Sequence, residues 1–333
     1  MAGATRLRRV AVDDPGWTRR RHGRGFVYLD EHGRRLAAAE VARCKSLAIP
    51  PAWRDVWICS VPNGHLQAVG TDEAGRRQYL YHPEWRRKRD RAKHDRVLEV
   101  AARLPAARAT VAEHLALPEM PKERVLATAF RLLDLGLFRV GGESYAEENG
   151  SYGLATIEKR HVGVRADRIE FEYQSKSGQL RCVAITDPLV RQSVAALRRR
   201  RGGGPQLLAY RQGRTWHDVT SRDINEYVKD VIGGEVSAKD FRTWHGTVLA
   251  TLALAAEDDQ PSSATARKRA VRRAVQHVSD QLGNTPTVAR KSYIDPRVVD
   301  RYEAGETIDV PARARGEGAR RRTESAVRQL LQD

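Results

Sequence analysis

The sequence predicts an α+β protein with two lobes, in which a small, mostly antiparallel β domain precedes a larger, mostly α-helical domain. Up to about residue 90, short apolar runs alternate with turn-forming residues, which is typical of strands. Beyond that point the apolar residues recur at helical spacing. We therefore expect a β-rich domain at residues 1–90, a mostly helical domain at 91–311 and a basic C-terminal tail at 312–333.

The clearest element of the N-terminal domain is a predicted β-hairpin. Two runs of strand-forming residues, at 65–70 and 76–81, flank a polar turn. Because side chains alternate between the two faces of a strand, Arg77, Tyr79 and Tyr81 would share one face.

The helical domain contains three segments with strong helix signals. Two of them carry apolar stripes at helical spacing and are each followed by a glycine that can end a helix, and the third begins at a capping box. The three segments are residues 122–135 before Gly136, residues 265–282 before Gly283, and a helix that begins after Ser237 and runs through Ala256. One predicted hairpin interrupts the helices, with Lys176 at its tip.

The chain is strongly basic. Its 333 residues carry a formal net charge of +17, while a hydrophobic fraction of 41% is sufficient for a proper core. A protein this basic is expected to bind a polyanion, and the charge favours nucleic acid as that partner. The alternative is a solvated basic surface without a specific partner.

Cysteine usage and hydropathy predict a cytoplasmic protein. Cys44, Cys59 and Cys182 are far apart and lack the spacing of a zinc site or a disulfide framework. They fit a reducing compartment. No apolar run is long enough to span a membrane, and the N-terminus has no hydrophobic segment of the signal-peptide type.

Common catalytic motifs are missing from the sequence. It has no G-x-x-x-x-G-K-[ST] loop, which argues against nucleotide hydrolysis, and no H-E-x-x-H motif or carboxylate cluster of the metal-site type. We therefore expect neither a nucleotide cofactor nor a metal. The informative segments contain arginine, lysine and tyrosine instead.

Five such polar residues stand at the boundaries of predicted elements. Arg139 follows a helix, Lys176 lies at a hairpin tip, and Arg242 lies in the first turn of a capped helix. Asn284 follows a helix stop, and Tyr293 comes nine residues after it. Taken singly, each has an ordinary explanation as a capping, solubilising or half-buried core side chain.

Taken together, these residues form a recognisable pattern. The sequence resembles the poxvirus-like type IB DNA topoisomerases, in particular their bacterial branch, from about Val27 to Tyr302. The resemblance rests on short motifs that occur in a specific order and spacing. They are Phe138-Arg139-Val140-Gly141, Tyr145-Ala146-Glu147-Glu148-Asn149-Gly150 with Tyr152-Gly153-Leu154, Ser175-Lys176-Ser177-Gly178, Lys239-Asp240-Phe241-Arg242-Thr243 and Arg290-Lys291-Ser292-Tyr293.

The resemblance implies an enzyme that relaxes supercoiled duplex DNA by transient single-strand cleavage, through a 3′-phosphotyrosyl intermediate and without ATP or metal. It assigns Tyr293 as the nucleophile, and Arg139, Lys176 and Arg242 as the catalytic cations. Asn284 stands where poxviral members carry histidine and where bacterial members commonly carry asparagine. The larger domain would have the catalytic fold that these enzymes share with tyrosine recombinases.

These residue types suit phosphoryl transfer. A phosphodiester attacked by a phenol gains negative charge on its non-bridging oxygens, and two arginines can each offer those oxygens a planar fork of donors. An asparagine amide can donate one more hydrogen bond. Lys176 is the candidate general acid for the leaving 5′-oxygen.

The resemblance also implies that the two lobes form a clamp round duplex DNA. Gln78, Tyr79 and Tyr81 would face the DNA from the N-terminal hairpin, and Tyr145 would face it from the helical domain. Lys239 would lie near the scissile phosphate. For the two hairpin tyrosines, the alternative is packing against the sheet.

Duplex DNA is the expected partner, bound by a monomer that is associated with the nucleoid. Binding would need many phosphate contacts, so the affinity should fall steeply with salt. Gly142 stands where poxviral members have a lysine. We therefore do not expect a strong sequence preference at the cleavage site.

Two alternatives compete with the topoisomerase hypothesis. A tyrosine recombinase would share the nucleophile and the arginines, but recombinases typically present H-x-x-R where this chain has Lys239-Asp240-Phe241-Arg242, and the β domain departs from their usual helical clamp. A DNA-binding protein without activity would be free to lose members of the catalytic set, and this chain retains all five.

Overall fold

The computed structural model describes residues 6–142, 150–257, 263–309 and 316–332. The chain divides into two compact units, Met1–Lys93 and His94–Asp333. The first contains an antiparallel sheet and the second is mostly helical, so the predicted α+β class is confirmed. Within the described ranges, no helix has the length and apolar character needed to cross a membrane.

The N-terminal unit is built on one five-stranded antiparallel sheet. Its elements are β1 (Gly16–His22), β2 (Gly25–Leu29), α1 (Ala38–Ser46), β3 (Arg54–Cys59), β4 (Leu66–Thr71) and β5 (Arg77–Tyr81). The strand order is β2-β1-β3-β4-β5, which places β5 at an edge. One face packs on a small core that includes Trp17, Tyr28 and Ile58, and β4 with β5 forms the predicted hairpin.

The helix α2 (Pro83–Leu115) begins in the N-terminal unit and continues into the second one. It runs through Pro105, although proline removes a backbone donor from a helix. In the second unit its buried side chains include Leu104, Val111 and Leu115, which recur at helical spacing. Packing of this stripe explains why the helix persists in a highly charged segment.

The second unit consists of helices with two small sheets. The helices are α3 (Lys122–Gly136), α4 (Pro188–Arg199), α5 (Ser221–Ile232), α6 (Ala238–Ala255), α7 (Ala264–Leu282), α8 (Pro286–Ser292), α9 (Pro296–Glu303) and α10 (Glu317–Gln332). The strands are β6 (Val162–Val164), β7 (Ile169–Ser175), β8 (Gln179–Ile185), β9 (Ala209–Gln212) and β10 (Thr215–Asp218), and they form the antiparallel sheets β6-β7-β8 and β9-β10. The three predicted helices and the hairpin with Lys176 at its tip are all present.

Helix α6 lies at the centre of this unit. Phe241 packs edge-to-face on Phe130 with 5.1 Å between the ring centroids, and Trp244 is fully buried. Polar residues of the same helix, Thr247 and Thr251 among them, are buried as well. A helix that is enclosed on nearly all sides is fixed in place, and it can therefore position the side chains that it carries.

Residues 317–332, at the end of the chain, form α10, which joins the core through Val327 and Leu331. Its charged face contributes to a buried ionic group that we call the Asp134 cluster. The carboxylate of Asp134 accepts hydrogen bonds from three arginines, and Glu324 of α10 accepts three more, two from Arg108 and one from Arg320. The donors to Asp134 are Arg108 (2.9 Å), Arg131 (3.0 Å) and Arg320 (3.0 Å), and Arg108 also donates to Glu324 (2.6 Å).

Candidate active site

The C-terminal end of α7 gathers three arginines from different parts of the second unit. A helix leaves its last carbonyls without partners inside the helix, and the negative end of its dipole lies there. Here three successive carbonyls each accept a hydrogen bond from a different guanidinium group. The donors are Arg181 to Gln281 (2.9 Å), Arg242 to Leu282 (2.8 Å) and Arg139 to Gly283 (2.6 Å). We call Arg139, Arg181 and Arg242 the α7-end cluster.

The backbone of Arg139 is held by a close approach of two chain segments. The Arg139 carbonyl accepts a hydrogen bond from the Leu154 amide at 2.8 Å. A Cβ on Gly153 would lie only 2.4 Å from the Cα of Gly141, and Gly141 has a φ of 82°, so both positions require glycine. The glycines in the motifs around Arg139 therefore have a structural reason.

Leu137, just before this segment, has a left-handed backbone conformation with φ 56° and ψ 28°. This conformation costs about 1–2 kcal/mol for a residue with a side chain. The Leu137 carbonyl accepts a hydrogen bond from Nη1 of Arg242. The strained residue therefore contributes to holding the second arginine, as strained backbone at functional sites often does.

Arg242 is almost completely buried in α6. The helix begins at a capping box, in which the Asp240 carboxylate accepts from the Ser237 backbone amide at 2.9 Å. Burial, together with repulsion from Arg139, lowers the pKa of Arg242 to about 10, and Tyr293 opposes this shift. The guanidinium therefore stays charged at neutral pH, although it is largely removed from water.

Tyr293 follows α8 directly and is half-buried. The centre of the Arg242 guanidinium lies 5.1 Å from the centroid of the Tyr293 ring, which is a cation–π distance. Helix α6 also touches the Tyr293 backbone, because a Cβ on Gly246 would lie 2.6 Å from its carbonyl oxygen. The same helix therefore fixes both Arg242 and Tyr293.

Asn284 joins the site through Arg139. Its Oδ1 accepts a hydrogen bond from Nη2 of Arg139 at 2.6 Å, and its backbone is tied to Ser279 by two further hydrogen bonds. Since a guanidinium can only donate, the amide nitrogen must point the other way. Within the described part of the chain, that buried Nδ2 has no hydrogen-bond partner. It is a donor that can serve an anionic ligand.

An open pocket of about 210 Å³ brings several of these groups together. Arg139, Arg242 and Tyr293 line it, and so does the exposed side chain of Lys239. The pocket thus presents three cations and one phenol, which is a surface suited to a phosphate group.

Lys176 is not part of this pocket. It begins a short 3₁₀ turn, Lys176–Gly178, between β7 and β8, and its side chain is exposed. Among the described residues, no hydrogen bond joins the Lys176 side chain to Arg139, Arg242, Asn284 or Tyr293. The hairpin that carries Lys176 is nevertheless attached to the site through Arg181, five residues further along.

Sequence reasoning missed Arg181 and the buried Tyr173 opposite it in the β7–β8 pairing. The pKa of Tyr173 is raised by burial, although Arg181 and Arg139 oppose the shift. The alternation of side chains along β8 could have indicated Arg181, because it places Arg181 on the same, less exposed face as Val183 and Ile185. An arginine on the inward-facing side of a strand is unusual and indicates a specific partner.

The N-terminal residues expected to contact DNA do not share one face. Tyr79 and Tyr81 are 47% and 37% exposed, and their rings are stacked with centroids 6.2 Å apart. Gln78 points to the opposite face of β5, where its amide donates to Asp72 at 2.9 Å. The two tyrosines therefore form an exposed aromatic pair, while the role expected of Gln78 stays a prediction. Tyr145 lies outside the described residues.

Comparison with known families agrees with this geometry. Residues 82–308 match the family "Eukaryotic DNA topoisomerase I, catalytic core", and residues 25–72 match "Bacterial DNA topoisomerase IB, N-terminal domain". The first match covers more than half of the chain. The protein therefore belongs to the type IB DNA topoisomerase family, and the resemblance inferred from its motifs is confirmed.

Individual relatives are also DNA topoisomerases. The chain is 28% identical to DNA topoisomerase 1B of Acanthamoeba polyphaga mimivirus over 298 residues, which is 86% of this chain and 88% of that protein. It is 19% identical over 243 residues to DNA topoisomerase 1B of vaccinia virus (strain Copenhagen) and to DNA topoisomerase I of monkeypox virus, which is 73% of this chain and 74% of each relative. The protein is thus a DNA topoisomerase, which is an isomerase, with an N-terminal domain of the bacterial type.

Proposed function

We propose that the protein relaxes supercoiled duplex DNA by cutting and resealing one strand through a covalent bond to Tyr293. One observation carries this proposal: the Tyr293 ring lies 5.1 Å from the buried Arg242 guanidinium, in a pocket that both share with Arg139. A phosphodiester in this pocket would meet a nucleophile and its counter-charges at once.

In the proposed cleavage step, the phenolic oxygen of Tyr293 bonds to phosphorus while the bond from phosphorus to the 5′-oxygen breaks. The phenol loses its proton to solvent, and the leaving 5′-oxygen takes one from Lys176 at the hairpin tip. The product is a 3′-phosphotyrosyl bond and a 5′-hydroxyl strand end. Resealing is the reverse reaction.

Arg139 and Arg242 stabilise the negative charge that builds up on the non-bridging oxygens during this step. The Nδ2 of Asn284, which has no hydrogen-bond partner among the described residues, adds a neutral donor. In a preorganised site, the loss of one such donor typically lowers the rate about 10²–10³-fold. We therefore assign these three residues to transition-state stabilisation.

The proposed reaction needs neither ATP nor a metal ion. Cleavage exchanges one phosphodiester for another, so the phosphotyrosyl bond retains the energy used for resealing. The arginine side chains supply the positive charge that a metal supplies in other phosphoryl-transfer sites. Torsion in the DNA drives the rotation of the cut strand.

We further propose that duplex DNA is bound by a monomer in the cytoplasm. Lys239 contacts the DNA near the scissile phosphate, and the exposed pair Tyr79 and Tyr81 contacts it from the N-terminal unit, with Gln78 and Tyr145 as further candidates. The net charge of +17 supports binding that weakens steeply as salt rises.

Relaxation of plasmid in EDTA and without ATP tests the proposal, with negatively and positively supercoiled substrates. The wild-type protein should relax both, and Tyr293→Phe should relax neither. Tyr302→Phe is the matched control, since Tyr302 is buried in α9 and does not line the pocket. It should retain relaxation.

Covalent capture separates the proposal from its alternatives. A strand labelled at its 5′ end should migrate with the denatured wild-type protein and not with Tyr293→Phe. Plasmid binding without relaxation or covalent adduct would contradict the proposal and favour a passive DNA-binding protein. Exchange of strands between two duplexes would favour a recombinase.

A further inference from the structure

We propose that Arg181 is a positioning residue for strand cleavage, acting through the C-terminal end of α7. This inference rests on the proposed function. Arg181 is the member of the α7-end cluster that lies outside the sequence motifs of the family and does not line the pocket.

Arg181 connects two elements that are far apart in the sequence. It lies on β8, on the less exposed side of the strand, and donates from Nη1 to the carbonyl of Gln281 at the end of α7. The two residues are separated by 100 positions. The hairpin whose tip carries Lys176 is thereby joined to the turn that carries Asn284.

The contact between Arg181 and this turn is close. Gly283 ends α7 in a left-handed conformation with φ 59°, and a Cβ there would lie 3.2 Å from both Cδ and Nη1 of Arg181. The arginine side chain thus covers the turn as well as donating to it. Moving Arg181 away would leave the turn less restrained.

The same turn is the anchor of the catalytic candidates. Arg242 donates to Leu282, and Arg139 donates to Gly283 and to the Asn284 side chain. Displacement of such groups by about 1 Å can cost on the order of a hundredfold in rate. A residue that fixes this turn therefore acts on the reaction without touching the DNA.

Single-turnover cleavage of a labelled duplex by the full-length protein tests the inference. Arg181→Ala should cleave about tenfold to a hundredfold more slowly, with a Kd for the duplex within a few-fold of wild type. Arg181→Lys, which can still donate to the Gln281 carbonyl, should recover most of the rate. Arg168→Ala is the matched control, because Arg168 is an exposed arginine just before β7 whose side chain pairs with Asp167 and Glu170, away from the α7 end. It should cleave normally.

A double-mutant comparison with Asn284→Ala identifies the route. If Arg181 acts through the turn, Arg181→Ala should slow the Asn284→Ala protein much less than it slows the wild type. The inference would be overturned if the two substitutions reduced the rate independently, so that their fold-effects multiply. A normal cleavage rate in Arg181→Ala, or a change in its Kd alone, would also overturn it. Failure of the wild type itself to form the covalent adduct would instead refute the proposed function, so the two failures are distinguishable.

Discussion

The second unit holds two groups of arginines that are satisfied in different ways. In the Asp134 cluster, Arg108, Arg131 and Arg320 bind carboxylates, and both Arg108 and Arg320 pair with Asp134 and with Glu324. In the α7-end cluster, the guanidinium groups bind backbone carbonyls at the end of one helix. A carboxylate cancels the charge of an arginine, whereas a carbonyl holds the side chain and leaves its charge in place.

The pKa shifts follow this difference. Burial would raise the pKa of Asp134, but Arg320 and Arg108 outweigh it and hold that pKa well below its usual range. Burial lowers the pKa of Arg242 to about 10, because no carboxylate in the described part of the chain pairs with it. An incoming phosphate would supply the missing counter-charge. The first cluster is therefore complete in itself, and we propose that Arg242 gains its counter-charge when DNA binds.

Carbonyl acceptors alone do not define a site. Arg200 also donates to backbone carbonyls, those of Leu197 and Leu207 among them, but it is enclosed, and the ring at cation–π distance from it is Trp216. What distinguishes Arg242 is its place on the pocket wall beside Tyr293. A buried arginine that donates to backbone carbonyls and also lines an open pocket beside a phenol is therefore a candidate catalytic arginine.

The largest expected effect comes from breaking the Asp134 cluster. Asp134→Ala leaves Arg108, Arg131 and Arg320 with fewer negative partners in a buried place. Removing one member of a buried ionic group typically costs about 3–5 kcal/mol of unfolding free energy. Chemical denaturation should show this loss, while the cleavage rate per folded molecule stays near that of the wild type. A variant as stable as the wild type would contradict the structural role.

In contrast to Asp134→Ala, Arg242→Ala should lower the cleavage rate more than it lowers stability. We expect single-turnover cleavage to slow about 10²–10³-fold, because one preorganised donor to the phosphate is lost. Duplex affinity should change far less. Arg200→Ala is a matched control for a buried arginine bound to carbonyls, and its folded fraction should cleave normally. Equal losses of rate in the two variants would remove the distinction drawn between them.

A smaller effect should appear in the pH dependence of stability. Burial, with the positive charge of Arg320, lowers the pKa of His245 to about 4, although Asp134 and Glu324 oppose the shift. The unfolded chain takes up this proton near pH 6.5, before the folded protein does. The contribution of His245 to the unfolding free energy is therefore fully present above about pH 6.5 and is lost as the pH falls toward 4. The loss should reach about 2 kcal/mol at pH 5.

Comparison of unfolding free energies at pH 7 and pH 5 checks this expectation. His245→Gln should show a clearly smaller difference between the two pH values than the wild type. His217→Gln, at an exposed position in β10, should keep the wild-type difference. An unchanged pH dependence in His245→Gln would show that other groups cause it.

Much of the local structure could be predicted from the sequence. The hairpins, the capping box before Arg242 and the glycine that ends α7 are set by neighbouring residues, and short-range patterns reveal them. The prediction for Gly136 was wrong, because it is the last residue inside α3 and Leu137 takes the left-handed conformation that ends the helix. The motifs also indicated Arg139, Arg242, Asn284 and Tyr293, which the structure brings together. The exposed position of Lys176 agrees with its predicted place at the hairpin tip.

The remaining features depend on contacts between distant segments. Arg181 reaches a carbonyl 100 residues away, and no local pattern specifies that acceptor. The left-handed conformation of Leu137 is stabilised by its surroundings and contradicts the usual preference of leucine. The Asp134 cluster needs three helices at once. Such features follow from tertiary packing, which local patterns in a single sequence do not predict.

Helix α10 has a consequence for how the chain can fold during its synthesis. The bonds of Arg108 to Glu324 span 216 residues, and those of Arg320 to Asp134 span 186. While the ribosome is still making the segment between them, Arg108 and Asp134 cannot reach these partners. The buried ionic group can form in full only after α10 has left the exit tunnel. Loop closure over such distances is slow, so α10 completes an interior formed by helices that are synthesised before it.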